Sequence, residues 1–135
     1  MRATPRSESG FTLVEMMVVL TLISILSLIA TMTLGNSTSK AHRTAMLSDL
    51  RNVETAQEAY IEQAFAETGT ATYADQVTKL EVTLSNGVAI QMRGNRNGWS
   101  ARATHERVSG VRCAVFRGTI KTFPPATEQG RIECD

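Results

Sequence analysis

Residues 11–34 read FTLVEMMVVLTLISILSLIATMTL, an apolar run in which Glu15 is the sole charge. As an α-helix the run would be about 36 Å long at ~1.5 Å per residue. A bilayer's hydrocarbon core takes about 20 such residues, so the run predicts a membrane-crossing helix. A chain of 135 residues then has room for one further small domain and not for two cores. Three details go beyond a plain anchor. Arg2 and Arg6 lie in a short polar segment before the run, Gly10 stands at the junction, and an acid sits five residues in.

The first ten residues, charged and with Pro5 near their middle, are expected to be a leader without structure of its own. A secretory signal is cut after its apolar region, behind small residues in an A-x-A-like pattern. No such pattern follows Leu34, and no cysteine stands where a lipid could be attached. The abrupt change in composition comes instead at Gly10–Phe11. A cut there leaves the apolar helix as the new N-terminus of the mature chain. Arg2 and Arg6 favour the cytoplasmic side, which sends the C-terminal part outward.

Glu15 follows from that cut. A carboxylate at the centre of a membrane helix costs roughly 2.5–3.5 kcal/mol on insertion scales. One reading is that Glu15, near the end of the run, reaches back to the interface. The other is that cleavage creates an amine on Phe11 with a reference pKa near ~8. In a bundle of such helices one subunit's Glu15 can pair with the next subunit's amine, which fixes axial register because an unpaired charge there is penalised.

The segment Gly10-Phe11-Thr12-Leu13-Val14-Glu15, followed by Met16-Met17-Val18-Val19-Leu20, closely resembles the processing site of type IV pilins and type II secretion pseudopilins. The resemblance covers the first quarter of the chain. It implies cleavage by a prepilin peptidase after Gly10, N-methylation of Phe11, and Glu15 as the acid that guides assembly. Many of these proteins carry a proline in the second half of the run, where the helix kinks or melts. This chain has none there, and Gly35 is the one weak helix former nearby, so melting around Thr31 to Gly35 stays open.

The remainder predicts an α+β fold. Met46, Leu50, Val53, Gln57, Tyr60, Ile61 and Ala64 recur at helical spacing, with Asp49, Glu54, Glu58 and Glu62 on other faces. This extends the helix over residues 35–68, to an end near Gly69. Tyr60 and Phe65 are expected on the face that carries a sheet. Residues 69–135 then read as a domain of about four antiparallel strands. Leu80, Val82 and Leu84 alternate with polar residues, Ser85-Asn86-Gly87 makes a turn, and Val88, Ile90 and Met92 alternate again, a hairpin signal. After a loop from Gly94 to Gly98, Trp99, Ala101 and Ala103 share one face, with Trp99 buried. A turn at Ser109-Gly110 leads to Val111, Cys113 and Val115.

Cys113 and Cys134 are the two cysteines. If the domain leaves the cytoplasm they form one bridge, closing a loop of about 20 residues and stabilising by roughly 3 kcal/mol; otherwise they are two buried thiols. The resemblance to type IV pilins, which usually carry such a C-terminal bridge, implies the bridge. Major pseudopilins more often use a calcium site, and no acid cluster has calcium-loop spacing.

Charge is unevenly spread. Residues 35–78 carry a net charge of −3 and residues 79–135 a net of +4. Arg93, Arg96, Arg102, Arg107, Arg112 and Arg117 either form a surface for DNA or other anionic surfaces, or contact the acidic middle of a neighbouring subunit. No aromatic-rich face suits base stacking. His42 and His105 are far apart in sequence, without a nucleophile motif, and His105 is expected to be a solvated turn residue. Neither a catalytic residue, a metal set nor a cofactor is expected. The resemblance implies a structural subunit that polymerises with copies of itself. Its further partners would be prepilin peptidase, the inner-membrane pilus or secretion assembly machinery, and membrane lipids before assembly. A minor pilin or a secretion or competence pseudopilin is the alternative within the family. Outside it, a monomeric membrane-anchored binding domain is possible, but that leaves Gly10 and Glu15 unexplained.

Overall fold

The structure, a computed structural model, describes residues 10–135, and of residues 29–37 the backbone alone. Residues 1–9 of the expected ten-residue leader lie outside the described residues, as do the side chains at the expected melting point around Thr31 to Gly35. One α-helix, α1 (Leu13–Thr68), is followed by a 3-10 turn (Val77–Lys79) and four strands. The strands are β1 (Val88–Asn95), β2 (Gly98–His105), β3 (Val108–Gly118) and β4 (Glu133–Cys134). All pair antiparallel in the order β1-β2-β3-β4. The fold is α+β. The chain divides at Ser37/Thr38 into two compact units.

Within the second unit, Met46, Leu50 and Val53 share a core with Trp99, Ala101, Ala103, Cys113 and Val115. The small alanines of β2 leave space for the indole of Trp99, which is fully buried. Tyr60 packs against this core. Phe65 does not: its side chain is 60% exposed, because five residues on from Tyr60 it lies on a different face of the helix. Asp49 also departs from its expected solvent face. It is 2% exposed and accepts hydrogen bonds from the Ser85 amide (2.8 Å) and hydroxyl (2.9 Å).

That bond bears on the main difference from the sequence reading. The alternating segment Leu80 to Leu84 is not a strand. Leu80 turns into the core, and the Val82 amide bonds the Leu80 carbonyl two residues back, a tight turn incompatible with a ladder. The Ser85-Asn86-Gly87 turn does form, with the Val88 amide bonded to the Ser85 carbonyl. It leads from an irregular segment held by Asp49 instead of from a strand. The fourth strand is β4, whose two residues face Cys113 and Ala114.

Two turns are also displaced. β1 runs through Gly94 to Asn95, and Asn95 Oδ1 closes a two-residue turn by accepting from the amides of Asn97 (2.7 Å) and Gly98 (3.1 Å). β3 begins at Val108, before Ser109-Gly110. Thr104 faces Arg112 whereas His105 faces Val108, so Ser109 to Val111 bulge out of the ladder.

The irregular stretch before β1 is tied to the helix by one amide. Gln57 Nε2 donates to the Ala74 carbonyl (2.8 Å) and Gln57 Oε1 accepts from the Ala74 amide (3.0 Å), with both residues buried. Gln57→Leu is expected to leave both Ala74 backbone groups unpaired and cost about 2–4 kcal/mol. Urea unfolding of the full chain in detergent checks this, and a loss below about 1 kcal/mol would count against the role.

Candidate functional site

The N-terminal unit begins with a reciprocal cap. Thr12 precedes the first residue of α1, its hydroxyl accepts from the Glu15 amide (3.2 Å), and Glu15 Oε2 accepts from the Thr12 amide (2.9 Å). The Thr12 hydroxyl also donates to Glu15 Oε2 (2.9 Å). Thr12-x-x-Glu15 is therefore a capping box, which sets where the helix starts. Neither reading of Glu15 made above, interface or assembly, includes the cap; the T-x-x-E spacing is the signal in the sequence for that further role. All three contacts use Oε2 or the Thr12 hydroxyl, so Glu15 Oε1 has no partner among the described residues.

Gly10 and Phe11 lie just outside the helix, in backbone with no regular hydrogen bonding. A side chain at Gly10 would meet nothing within 4 Å among the described residues, and its φ is not in the left-handed region. The fold itself therefore makes no demand for glycine at this position. Phe11 is 81% exposed, so the bond between the two is open to another protein.

Beyond the cap the helix is apolar on every side. Leu13, Val14, Met17, Leu20, Leu22, Ile23, Leu26 and Leu28 are all exposed, a pattern that fits an apolar surround and not water. Its hydroxyls need no external partner, since Thr21, Ser24 and Ser27 donate to the carbonyls of Val18, Leu20 and Ile23 at 2.7–2.8 Å. Among the described residues no helix is long and apolar enough to cross a membrane. Residues 13–28 span roughly 24 Å at ~1.5 Å per residue, and the rest of the run falls on residues whose side chains lie outside the described ones.

Cys113 and Cys134 form a disulfide, with 4.1 Å between their Cα atoms, at directly opposed positions of β3 and β4. The intervening loop folds back over the outer face of the sheet. Phe123 and Ala126 pack there on Ala114, with Phe116 alongside, and the Phe123 amide donates to the buried Ser100 hydroxyl (3.1 Å). This second small core was not foreseen, because its alternate positions in β2 and β3 read as solvent-facing.

The six arginines are not one surface. Arg117 Nε and Nη2 donate to Glu54 Oε1 of the helix at 2.9 and 2.6 Å. The acidic middle is thus met in part within the same chain. Arg112 binds Asp135 through its backbone amide, Nε and Nη2, and Arg107 lies 3.8 Å from Glu106. Arg93 and Arg102 instead stand over the Phe123 ring, with Cζ 4.1 and 5.1 Å from its centroid, while Arg96 is exposed in the β1–β2 turn.

His105 is a further correction. It is 6% exposed, its ring centroid is 4.1 Å from that of His42, and its Nδ1 accepts from the Arg107 amide (3.1 Å). The bulge at Thr104/His105 turns it inward against the helix. Among the described residues, no group of three or more His, Cys, Asp or Glu is placed to hold a metal ion.

Residues 5–31 match the family model described as the prokaryotic N-terminal methylation motif. This is the signature of type IV pilin and pseudopilin precursors. The match includes Gly10, Phe11 and Glu15, and the motif points to a structural protein rather than an enzyme. No match was found among curated proteins or among solved structures.

The carboxylates near the bridge carry a pH signature. Arg112, through its side chain and then its amide, holds the Asp135 carboxyl below its usual range. The Thr127 amide and hydroxyl do the same for Glu133. A lowered folded-state pKa adds stability that is present above the unfolded pKa and lost as pH falls through the folded one. Thermal melts are therefore expected to be level from pH 7 to about 5 and to fall below about pH 4. Asp135→Asn should make that acid decline shallower; an unchanged decline would remove Asp135 from its causes.

Proposed function

We propose that the chain is the structural subunit of a type IV pilus-like filament, cut after Gly10, methylated on Phe11 and polymerised through residues 11–34. The observation that carries this reading is the junction at Gly10. A glycine that the fold does not require, beside an exposed, non-helical peptide bond and a capped apolar helix, meets the demands of an external peptidase. The precursor is read as spanning the inner membrane once, with residues 38–135 outside, where the Cys113–Cys134 bridge is chemically at home. After the cut, the Phe11 amine of one subunit pairs with Glu15 of its neighbour and sets the axial register of the bundle.

Within the same family a pseudopilin of a secretion or competence system is the second reading. The C-terminal bridge, and the lack of a metal-holding acid group among the described residues, favour the pilin. Partners on this reading are further copies of the chain, the peptidase, the assembly machinery, and lipids before assembly.

Two substitutions test the proposal. Gly10→Val has open space in the fold and is expected to leave the domain folded while blocking cleavage. Intact mass spectrometry of membranes checks this, and a mature chain starting at Phe11 at parental levels would contradict it. Glu15→Gln keeps an N3 residue able to cap Thr12 but removes the charge. It should be processed normally and yield at least tenfold less material in the sheared surface fraction. Parental yield would mean that Glu15 serves the cap and not the pairing.

A further inference from the structure

The basic residues of the domain fall into two groups. Lys79, Arg107, Arg112, Arg117 and Arg131 each have a carboxylate within ion-pair distance. Arg93, Arg96, Arg102 and Lys121 have none among the described residues, and three of them, Arg93, Arg102 and Lys121, converge. Arg93 and Arg102 are diagonal neighbours on the outer face of β1 and β2, since Gln91 faces Arg102 and Arg93 faces Ser100. Both guanidinium groups lie over Phe123, and Arg93 Nη1 donates to the Lys121 carbonyl. Arg102 Nη2 bonds the neutral Gln91 amide oxygen at 2.6 Å, and its buried Nε has no partner. Like charges placed diagonally across a sheet repel, and the loop that carries Phe123 holds them together while its acid, Glu128, pairs with Arg131 instead.

The complementary patch lies on α1. Glu58, Glu62 and Phe65 stand at i, i+4 and i+7 and so share one helix face. All three are exposed, and neither acid has an ion-pair partner among the described residues. Phe65 is the one exposed large hydrophobic residue in the second unit. Two acids four residues apart also repel.

We infer that the Arg93–Phe123–Arg102 face of one subunit docks on the Glu58–Glu62–Phe65 face of a second copy of this chain. The charges are opposite, each pair is spaced about a turn or a strand diagonal apart, and none of the four has an ion-pair partner among the described residues. The two patches are different surfaces, so the contact is heterologous. Such contacts repeat head to tail and build a filament or a ring rather than a closed dimer. The inference rests on the filament reading for its setting, but it names the surface that would join the domains outside the apolar bundle.

The test is cross-linking of full-length chains in membranes and in the sheared surface fraction. Chains carrying Arg93→Cys and chains carrying Glu62→Cys are coexpressed and treated with a short bis-maleimide. A species of doubled mass that needs both variants is expected in the membranes and in any filaments. Charge reversal by Arg93→Glu or Glu62→Lys should lower filament yield at least fivefold, and the two together should restore it. Filaments without the cross-link, and without rescue, would overturn this interface and leave the filament reading standing. The cross-link without filaments would support the interface and overturn the filament reading. Parental yield in Arg93→Glu, with loss of duplex DNA retention by those filaments, would overturn the interface in favour of a nucleic-acid surface.

Discussion

The reciprocal bond between the Gln57 amide and the backbone of Ala74 governs how the C-terminal unit is put together. A buried peptide group left unpaired costs about 1–3 kcal/mol for each orphaned atom. Here a single side chain answers both the N–H and the C=O of Ala74. That anchors the connection leaving α1 against the helix and fixes where it passes the sheet. A side chain on Gly94 would come within 2.1 Å of the Ala74 carbonyl oxygen, so β1 approaches that anchored backbone as closely as glycine allows. The Tyr73 amide then bonds the Asn95 carbonyl. The end of β1, and with it the turn into β2 and the position of Trp99, follows from this one attachment.

Both faces of the sheet are covered, by different means. The inner face packs on the helix through side chains alone. The outer face is closed by the loop between β3 and β4, which the Cys113–Cys134 bridge holds at its ends and Phe123 and Ala126 hold at its centre. Closing such a loop contributes about 3 kcal/mol through the unfolded chain, a large share for a core this small. Phe123 also lies beneath two arginines on the outer face. The same packing that closes the core therefore leaves their positive charge at the surface.

Much of the fold was legible in the sequence. Met46, Leu50 and Val53 lie on one helical stripe, and Trp99, Ala101 and Ala103 alternate as an inward face. The hydrophobic period reports burial on a single side well. It reports poorly where a second layer covers the other side, as the loop carrying Phe123 does over Ser100 and Ala114. Alternation also misleads at Leu80 to Leu84, where the pattern is real but Asp49 and the Leu80–Val82 turn claim the backbone. Ion pairs across elements, such as Arg117 with Glu54, depend on distances that composition does not carry. The motif at Gly10, Phe11 and Glu15 was fully legible because it is local. What escaped was the T-x-x-E cap written in the same residues.

That overlap shapes the chemistry at the start of the helix. A carboxylate can accept about four hydrogen bonds through its two oxygens, and the cap uses only Oε2. Oε1, without a partner among the described residues, could take an ammonium from a neighbouring chain. The proposed pairing would not require Glu15 to release Thr12, so assembly would gain a charge contact without fraying the helix that presents it. The cap would also fix the carboxylate before the neighbour arrives, which reduces the side-chain entropy lost when the contact forms. Fixing one acid at the entrance of an otherwise uncharged run, residues 11–34, leaves few alternatives for an incoming amine. Axial register would then follow from where the cap sits and not from the apolar side chains, whose packing tolerates sliding.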